Sequence, residues 1–485
     1  MKQLILISCL LMASLCGKSQ VHLTVQLDTS LTGPFTGRLY VYTLKDTSAS
    51  FNERTMAAEP AFYIPVTNWR HGQPVSLRKG STPSHIALDS LKAGVYKLVA
   101  ILDTNRTERG NGAPGNAYSR NEGLLHISGA GKGEGTVILN AVFRQRPFRE
   151  TELVKEITLR SGLLSRFRGA DIFLKAAVIL PASFQKDTAR QYPVVFIIPG
   201  WGGTHYHGAI AGNQQRYGVG QGKDKIYVYL NPENQTPWGL HAFVDSRVNG
   251  PWGEALVKEL IPYLRRNYRV TSDPGQTFLT GQSSGGYGAV WLALHYPESF
   301  GGCWATSPDP LDFSSFTGVN LYRDKNYYTD ATGKERGINR VKGVFQETLR
   351  ASRMSELFGG DGGQQQSFEA EFGKPGKQGR PKDLFDPLSG AINQQVVKEW
   401  QPYDLGLLVQ QNWQKIKKAG VGKITVYAGE EDNYLLQESA IAFGRKAQQA
   451  GADIRVVIIP GADHFTVRSE TLTRQIQAEM DALIK

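Results

Sequence analysis

The stretch FLTGQSSGGYGAVWLALHYP, Phe278 to Pro297, constrains this chain more than any other. A short apolar run enters a Gly/Ser turn and leaves as a segment of helical periodicity that Pro297 stops. In a chain with 53 glycines the bare pattern Gly-x-Ser-x-Gly is weak, so its meaning depends on what surrounds it. From Tyr192 onward the surroundings are apolar runs separated by amphipathic ones. YPVVFIIPG from Tyr192, KIYVYLNP from Lys225, QTFLT from Gln276, GGCWATS from Gly301, KITVYAG from Lys423 and IRVVIIPG from Ile454 read as strands. Between them lie helices such as Gly253 to Asn267, with Leu256, Leu260, Ile261 and Leu264 on one face. That alternation predicts an α/β fold with a largely parallel sheet covered on both faces.

Upstream the pattern changes. Short runs alternate in and out, from VHLTVQL at Val21 through RLYVY, HIAL and VYKLVAIL to TVILNAV at Thr136, separated by glycine, proline and asparagine. They predict a small antiparallel, sandwich-like β domain over residues 21–145. Residues 146–190, with the extended run DIFLKAAVILP, are read as a connecting segment and first strands leading into the α/β domain of residues 191–485. Two domains suit a length of 485 residues.

The net charge of +11 is spread in ones and twos. Its densest patch, YLRRNYR from Tyr263, reads as a solvated helix face, which argues against a nucleic-acid partner. Residues 1–20 read as an export signal: Lys2, an apolar stretch from Leu4 to Leu15, then small and polar residues. The expectation is therefore a secreted or periplasmic protein without a transmembrane span. Lipid anchoring is disfavoured, because Cys16 follows the bulky Leu15. A mature chain would keep only Cys303 and form no internal disulfide.

Within this architecture the Gly/Ser turn becomes a sharp strand-to-helix elbow. Gly281 and Gly285 stand at the two places around Ser283 where side chains would clash, whereas Ser284 lacks a glycine two residues before it. Ser283 is thus the candidate nucleophile. A serine hydroxyl needs a base, and in this chain order the acid and the histidine follow it, each in a loop after a later strand. His464, in IIPGADHF, is the candidate base. Glu430, Glu431 and Asp432 compete as the acid after KITVYAG; Asp432 is preferred because several loop residues let it turn toward the histidine, with Glu431 next. Asp463 is too close in sequence to reach back to the ring. The backbone amides of Ser284 and of Trp201, with Gly202 second, are the candidate oxyanion donors.

From about Leu163 to the C-terminus the chain resembles the putative esterase family of α/β-hydrolases, which includes esterase D, feruloyl and acetylxylan esterases and enterochelin esterases. YPVVFIIPGWGG, GEALVKELIPYLRRNYRV, TGQSSGGYGAVWLALHYPESFGG, GEEDNYL and PGADHF carry the resemblance. It implies nucleophile, acid and base at Ser283, Asp432 and His464, and several members have an N-terminal β-sandwich. Many members have Met after the nucleophilic serine, where this chain has Ser284; only the amide of that residue takes part.

Residues 307–418 are a second departure, roughly a hundred residues where one helix would suffice. Helical patches such as VFQETLRASRMSELF predict a partly folded cap, flanked by Gly/Gln-rich GGDGGQQQ. Gly202, Trp238, Trp252 and Tyr287 are candidate pocket residues, since rings near the rim can stack on sugars or aromatic acyl groups; packing beneath the cap is the competing reading. His205 and His207 form an H-x-H pair, but no carboxylate or cysteine completes a ligand set, so no metal and no cofactor is expected and a pocket-wall role is preferred. The function implied is ester hydrolysis through an acyl-enzyme, on a small-molecule or saccharide ester such as a siderophore lactone or a feruloyl or acetyl sugar ester. Acyl transfer, action on a small peptide, or a binding protein on the same scaffold are the alternatives. Oligomeric state is not encoded in any motif.

Overall fold

The computed structural model describes residues 20–48, 59–78, 81–121 and 123–485. All but the last residue of the predicted export signal lies outside them. Among the described residues no helix is long and apolar enough to cross a membrane. The chain divides into two compact units, residues 1–105 with 111–145, and residues 106–110 with 146–485.

Among the described residues the first unit is built on a ten-stranded hydrogen-bonded sheet. Phe35–Leu44 lies between Ala61–Trp69 and Gly94–Asp103, antiparallel to both. Strict two-residue alternation buries Gly133, Gly135, Val137 and Leu139 of Lys132–Leu139. With Leu23, Leu39, Phe62 and Leu98, the last two make one apolar core. One pairing departs from the antiparallel pattern: Gln20–Leu27 runs parallel to Lys132–Leu139. A parallel pair needs a long crossover, and the intervening strands supply it. The HIAL segment forms no strand; it bends into a 3-10 turn at Leu88–Ser90 that buries Leu88.

The second unit holds an eight-stranded mixed sheet. Its spatial order is Val154–Arg160, Phe173–Ile179, Ile226–Leu230, Val194–Ile198, Thr277–Ser283, Gly302–Pro308, Lys423–Gly429 and Ile454–Ile459. The first two pairings are antiparallel. The strands from Ile226–Leu230 to Ile454–Ile459 pair in parallel. The first strands expected within residues 146–190 are Val154–Arg160 and Phe173–Ile179, both part of this sheet. Val194–Ile198 is buried along its whole length, as its unbroken β-branched and aromatic run requires of a strand covered on both faces. Because neighbouring strands run the same way, the loops after Ile198, Ser283, Pro308, Gly429 and Ile459 all leave one edge of the sheet.

The predicted helix over Gly253 to Asn267 forms in three pieces, Trp252–Ala255, a π-helical turn at Leu256–Leu260 and Ile261–Tyr268. The insertion is fully folded. It contains a hairpin, Gly337–Val341 with Val344–Thr348, and the helices Leu349–Gly359, Gln364–Phe372, Gln394–Trp400 and Leu405–Lys418. Phe313, Phe316, Phe368, Phe372 and Trp400 pack ring on ring within it. The Gly/Gln-rich stretch is the start of a buried helix, because its polar groups find partners: Gln366 Oε1 accepts from Gly362 N at 2.5 Å and Ser367 Oγ donates to Gly363 O at 2.9 Å.

Candidate active site

Ser283 ends its strand at φ 57°, ψ −128°, a left-handed conformation that a residue with a Cβ holds only when its surroundings enforce it. The next residue opens the helix Ser284–His295. A Cβ on Gly281 would lie 2.1 Å from Gly285 O, and one on Gly285 would lie 1.9 Å from Ile198 O. Both glycines are required by contact with backbone, which has nowhere to go. The loop after Val194–Ile198 passes against the serine: a Cβ on Gly200 would sit 3.0 Å from Ser283 Cβ. This places the Trp201 segment beside the elbow, near the amide of Ser284, which as the first helical N–H has no partner within the helix.

His464 and Asp432 meet. The His464 ring donates from Nδ1 to Asp432 Oδ2 at 3.0 Å, and both side chains are buried. Asp432 also accepts from Tyr434 N at 2.9 Å, a turn that holds its carboxylate. Of its competitors, Glu430 accepts from Gly461 N at 3.0 Å, and it and Glu431 are exposed. The histidine loop is tied to the elbow by Gln282, whose Nε2 donates to His464 O at 2.6 Å, and to the acid loop by Asn433, whose Oδ1 accepts from His464 N at 3.1 Å. Arg216 reaches Gln282 Oε1 at 2.5 Å.

The Ser283 hydroxyl itself points elsewhere. It donates to Asp309 Oδ1 at 3.2 Å rather than to His464, while Ser284 Oγ donates to Asp309 Oδ2 at 2.5 Å. Gln364 Nε2, from the insertion, lies 3.3 Å from Ser284 Oγ and from Asp309 Oδ2. Burial pushes the Asp309 carboxyl up to about 6, against the two serine hydroxyls and His464, which favour its charge. Sequence reasoning passed over Asp309, Gln364 and Gln282. For Asp309 a signal existed: it directly follows the strand GGCWATSP, where a side chain emerges at the same sheet edge as the others.

Other predicted residues are placed differently. Trp252, 2% exposed, stacks on His241 with ring centroids 3.6 Å apart and is core. Tyr287, 1% exposed, donates to Tyr403 O at 2.5 Å and anchors the insertion on the elbow helix. The insertion covers Tyr287 and the residues around His241 and Phe243 enclose Trp252, so neither ring is open to a ligand. Trp238 is half-buried with Arg380 over its ring, and Gly202 turns at φ 88°. Trp201 remains 45% exposed; its Nε1 donates to Gly362 O at 3.3 Å and the Arg109 guanidinium lies 4.3 Å from its ring centroid, held by Glu233. His205 is buried, paired with Glu156 Oε1 at 2.9 Å and stacked on Phe148, and burial holds its pKa below the usual value. His207 Nδ1 accepts from Thr204 N at 2.9 Å. The H-x-H pair therefore braces the loop instead of forming a pocket wall.

An acetyl esterase of Caldicellulosiruptor saccharolyticus is 27% identical over 158 residues, 31% of this chain and 56% of that relative, so the match spans little more than half of the relative's length. A solved ferulic acid esterase overlays with a TM-score of 0.43 at 16% identity, covering 68% of this chain and 98% of its own. An S-formylglutathione hydrolase from Agrobacterium tumefaciens gives 0.41 at 18% identity, covering 69% and 98%. Overlays at this level carry no argument about substrate. The family model described as putative esterase matches residues 173–465, more than half of the chain. Since that stretch runs from the second strand of the mixed sheet to the loop bearing His464, the chain belongs to the putative esterase family.

Proposed function

We propose that this chain is a serine carboxylic ester hydrolase. Ser283 Oγ attacks the ester carbonyl carbon as its proton passes to Nε2 of His464, the carbonyl electron pair moves to oxygen, and the alkoxide leaves with the proton returned by His464. Water, deprotonated by the same histidine, then releases the acid from Ser283. Asp432 holds the ring with Nε2 free to accept and stabilises the imidazolium. The amides of Ser284 and Trp201 receive the oxyanion. Attack requires the Ser283 hydroxyl to turn from Asp309 to His464.

The observation that carries this reading is the buried Asp432–His464 pair, tied through Gln282 to a strained serine on the adjoining strand edge. Family membership and the acetyl esterase relative support an ester substrate. Within that class we propose a feruloyl or acetyl sugar ester or a siderophore-type lactone, met outside the cytoplasm if residues 1–20 direct export. A fluorophosphonate probe tests the chemistry: wild type should label and Ser283→Ala should not, and equal labelling of both would defeat the reading. Turnover of aryl, feruloyl and acetylxylan esters and of trilactones then sorts the substrate.

A further inference from the structure

The carboxylate nearest the nucleophile has no part in the reaction as written above. Asp309 accepts from Ser283 Oγ at 3.2 Å and from Ser284 Oγ at 2.5 Å, and its own N–H donates to Ser283 O at 3.1 Å. The chain is bent to put it there. Pairing between Thr277–Ser283 and Gly302–Pro308 shifts register at Gln282/Ser283, and buried Ser307 sits at φ 36°, a conformation a serine keeps only where packing enforces it. The hydrogen-bond partners of Asp309 are neutral: two serines and Gln364. The titratable groups that interact with it are His464 and Asp432 on the two later loops, Glu371 on the insertion helix, Tyr287 on the elbow helix, and Tyr434.

We propose that Asp309 is a second carboxylate of the catalytic set. It is a positioning residue that anchors the elbow through both serine hydroxyls and whose negative charge favours the imidazolium forming at His464. This rests on the serine hydrolase reading. In the attack, the Ser283 proton goes to His464 and the new bond joins Oγ to the carbonyl carbon. Asp309 gains and loses no proton; it gives up its hydrogen bond from Ser283 as the positive charge appears on the ring. The anchoring part needs only hydrogen-bonding shape, so Asp309→Asn keeps it and Asp309→Ala does not. The charge part exists only above the pH at which Asp309 ionises.

The test uses the full chain. Ester turnover and fluorophosphonate labelling are followed from about pH 5 to about pH 8.5 for wild type, Asp309→Asn, Asp309→Ala and Ser283→Ala, with thermal melts as the fold control. Asp309→Asn should lose about tenfold in kcat above about pH 6 with KM little changed, and the loss should shrink toward pH 5, where wild type is also neutral at this position. Asp309→Ala should lose about tenfold more at every pH. Gln364→Leu removes a donor to the charged form, so the corresponding step in its pH profile should move upward; this holds even if the Asp309 variants do not fold. A kcat loss in Asp309→Asn that is equal at both ends of the pH range, a loss in KM alone, or an unmoved profile in Gln364→Leu overturns the inference. Failure of wild type to label at Ser283 would instead defeat the parent reading.

Discussion

Nδ1 of His464 donates to Oδ2 of Asp432 across 3.0 Å, between residues 32 apart in sequence on the loops after two neighbouring parallel strands. That bond fixes which ring nitrogen carries the proton and leaves Nε2 unprotonated, able to accept. Asparagine at 432 would keep the shape and present a donor where an acceptor is needed. Asp432→Asn is expected to lower kcat by about 10⁴ with KM little changed, measured on an aryl ester. Glu431→Gln, on an exposed side chain, should stay near wild type; the reverse ranking would reassign the acid.

The elbow glycines are held by contact with backbone. At Gly285 a methyl group would meet Ile198 O at 1.9 Å, which only movement of the central strand could relieve. Gly285→Ala is expected to cost about 3 kcal/mol or more, or to prevent folding, read as the denaturation midpoint. Gly212, in the helix Ala211–Arg216 with open space where its Cβ would be, provides the contrast: Gly212→Ala should be neutral or stabilising by up to about 1 kcal/mol.

Glu369 gives the insertion a pH dependence. Burial pushes its carboxyl up to about 7 although Arg353 lies 3.4 Å away. A folded-state pKa above the ordinary 4.5 means that the folded chain holds a proton the unfolded chain releases, so this contribution is fully present below about 4.5 and is lost as pH rises to about 7. Denaturation melts across that window should fall more steeply for wild type than for Glu369→Gln. Parallel slopes would show that Glu369 is not the group responsible.

Cys303 lies inside the Gly302–Pro308 strand, and burial raises its thiol pKa well above the ordinary value. It should ignore a thiol reagent at neutral pH in the native protein and react once the chain unfolds. Reaction within seconds in the native state would mean the sheet opens locally on that timescale.

How much was readable beforehand follows from the range of the forces involved. Ser283 with its two glycines, and the strand and helix flanking it, depend on local sterics and on periodicities of two and 3.6 residues, and these are written in adjacent letters. His464 was readable by chain order, since each strand of such a sheet delivers its following loop to one edge. The insertion was harder. Its helix Gln364–Phe372 reads as polar and low in complexity, yet eight of its nine residues are buried, with Gln365 bonded to Glu369 and Gln366 to Asp361 and the Gly362 amide, while Gln364 reaches out to Ser284 and Asp309. Trp252 and Tyr287 look like rim aromatics in sequence and are core in the fold, because only packing decides which face a ring turns to.

The sequence by itself determined the two-domain division, the alternation that builds the sheet, the glycine-flanked strand-to-helix turn at Ser283 and the loop that carries His464. Tertiary structure brings the preferred acid, Asp432, to the ring and leaves Glu430 and Glu431 exposed, and it alone decided that Ser283 rests on Asp309 and that Gln364 joins them from the insertion. The first group depends on what a residue's chain neighbours allow. The second depends on strand register, on a shift of pairing at Gln282/Ser283 and on burial, which bring together side chains separated by 25 to 80 positions and set the charge of a carboxylate that no local pattern marks.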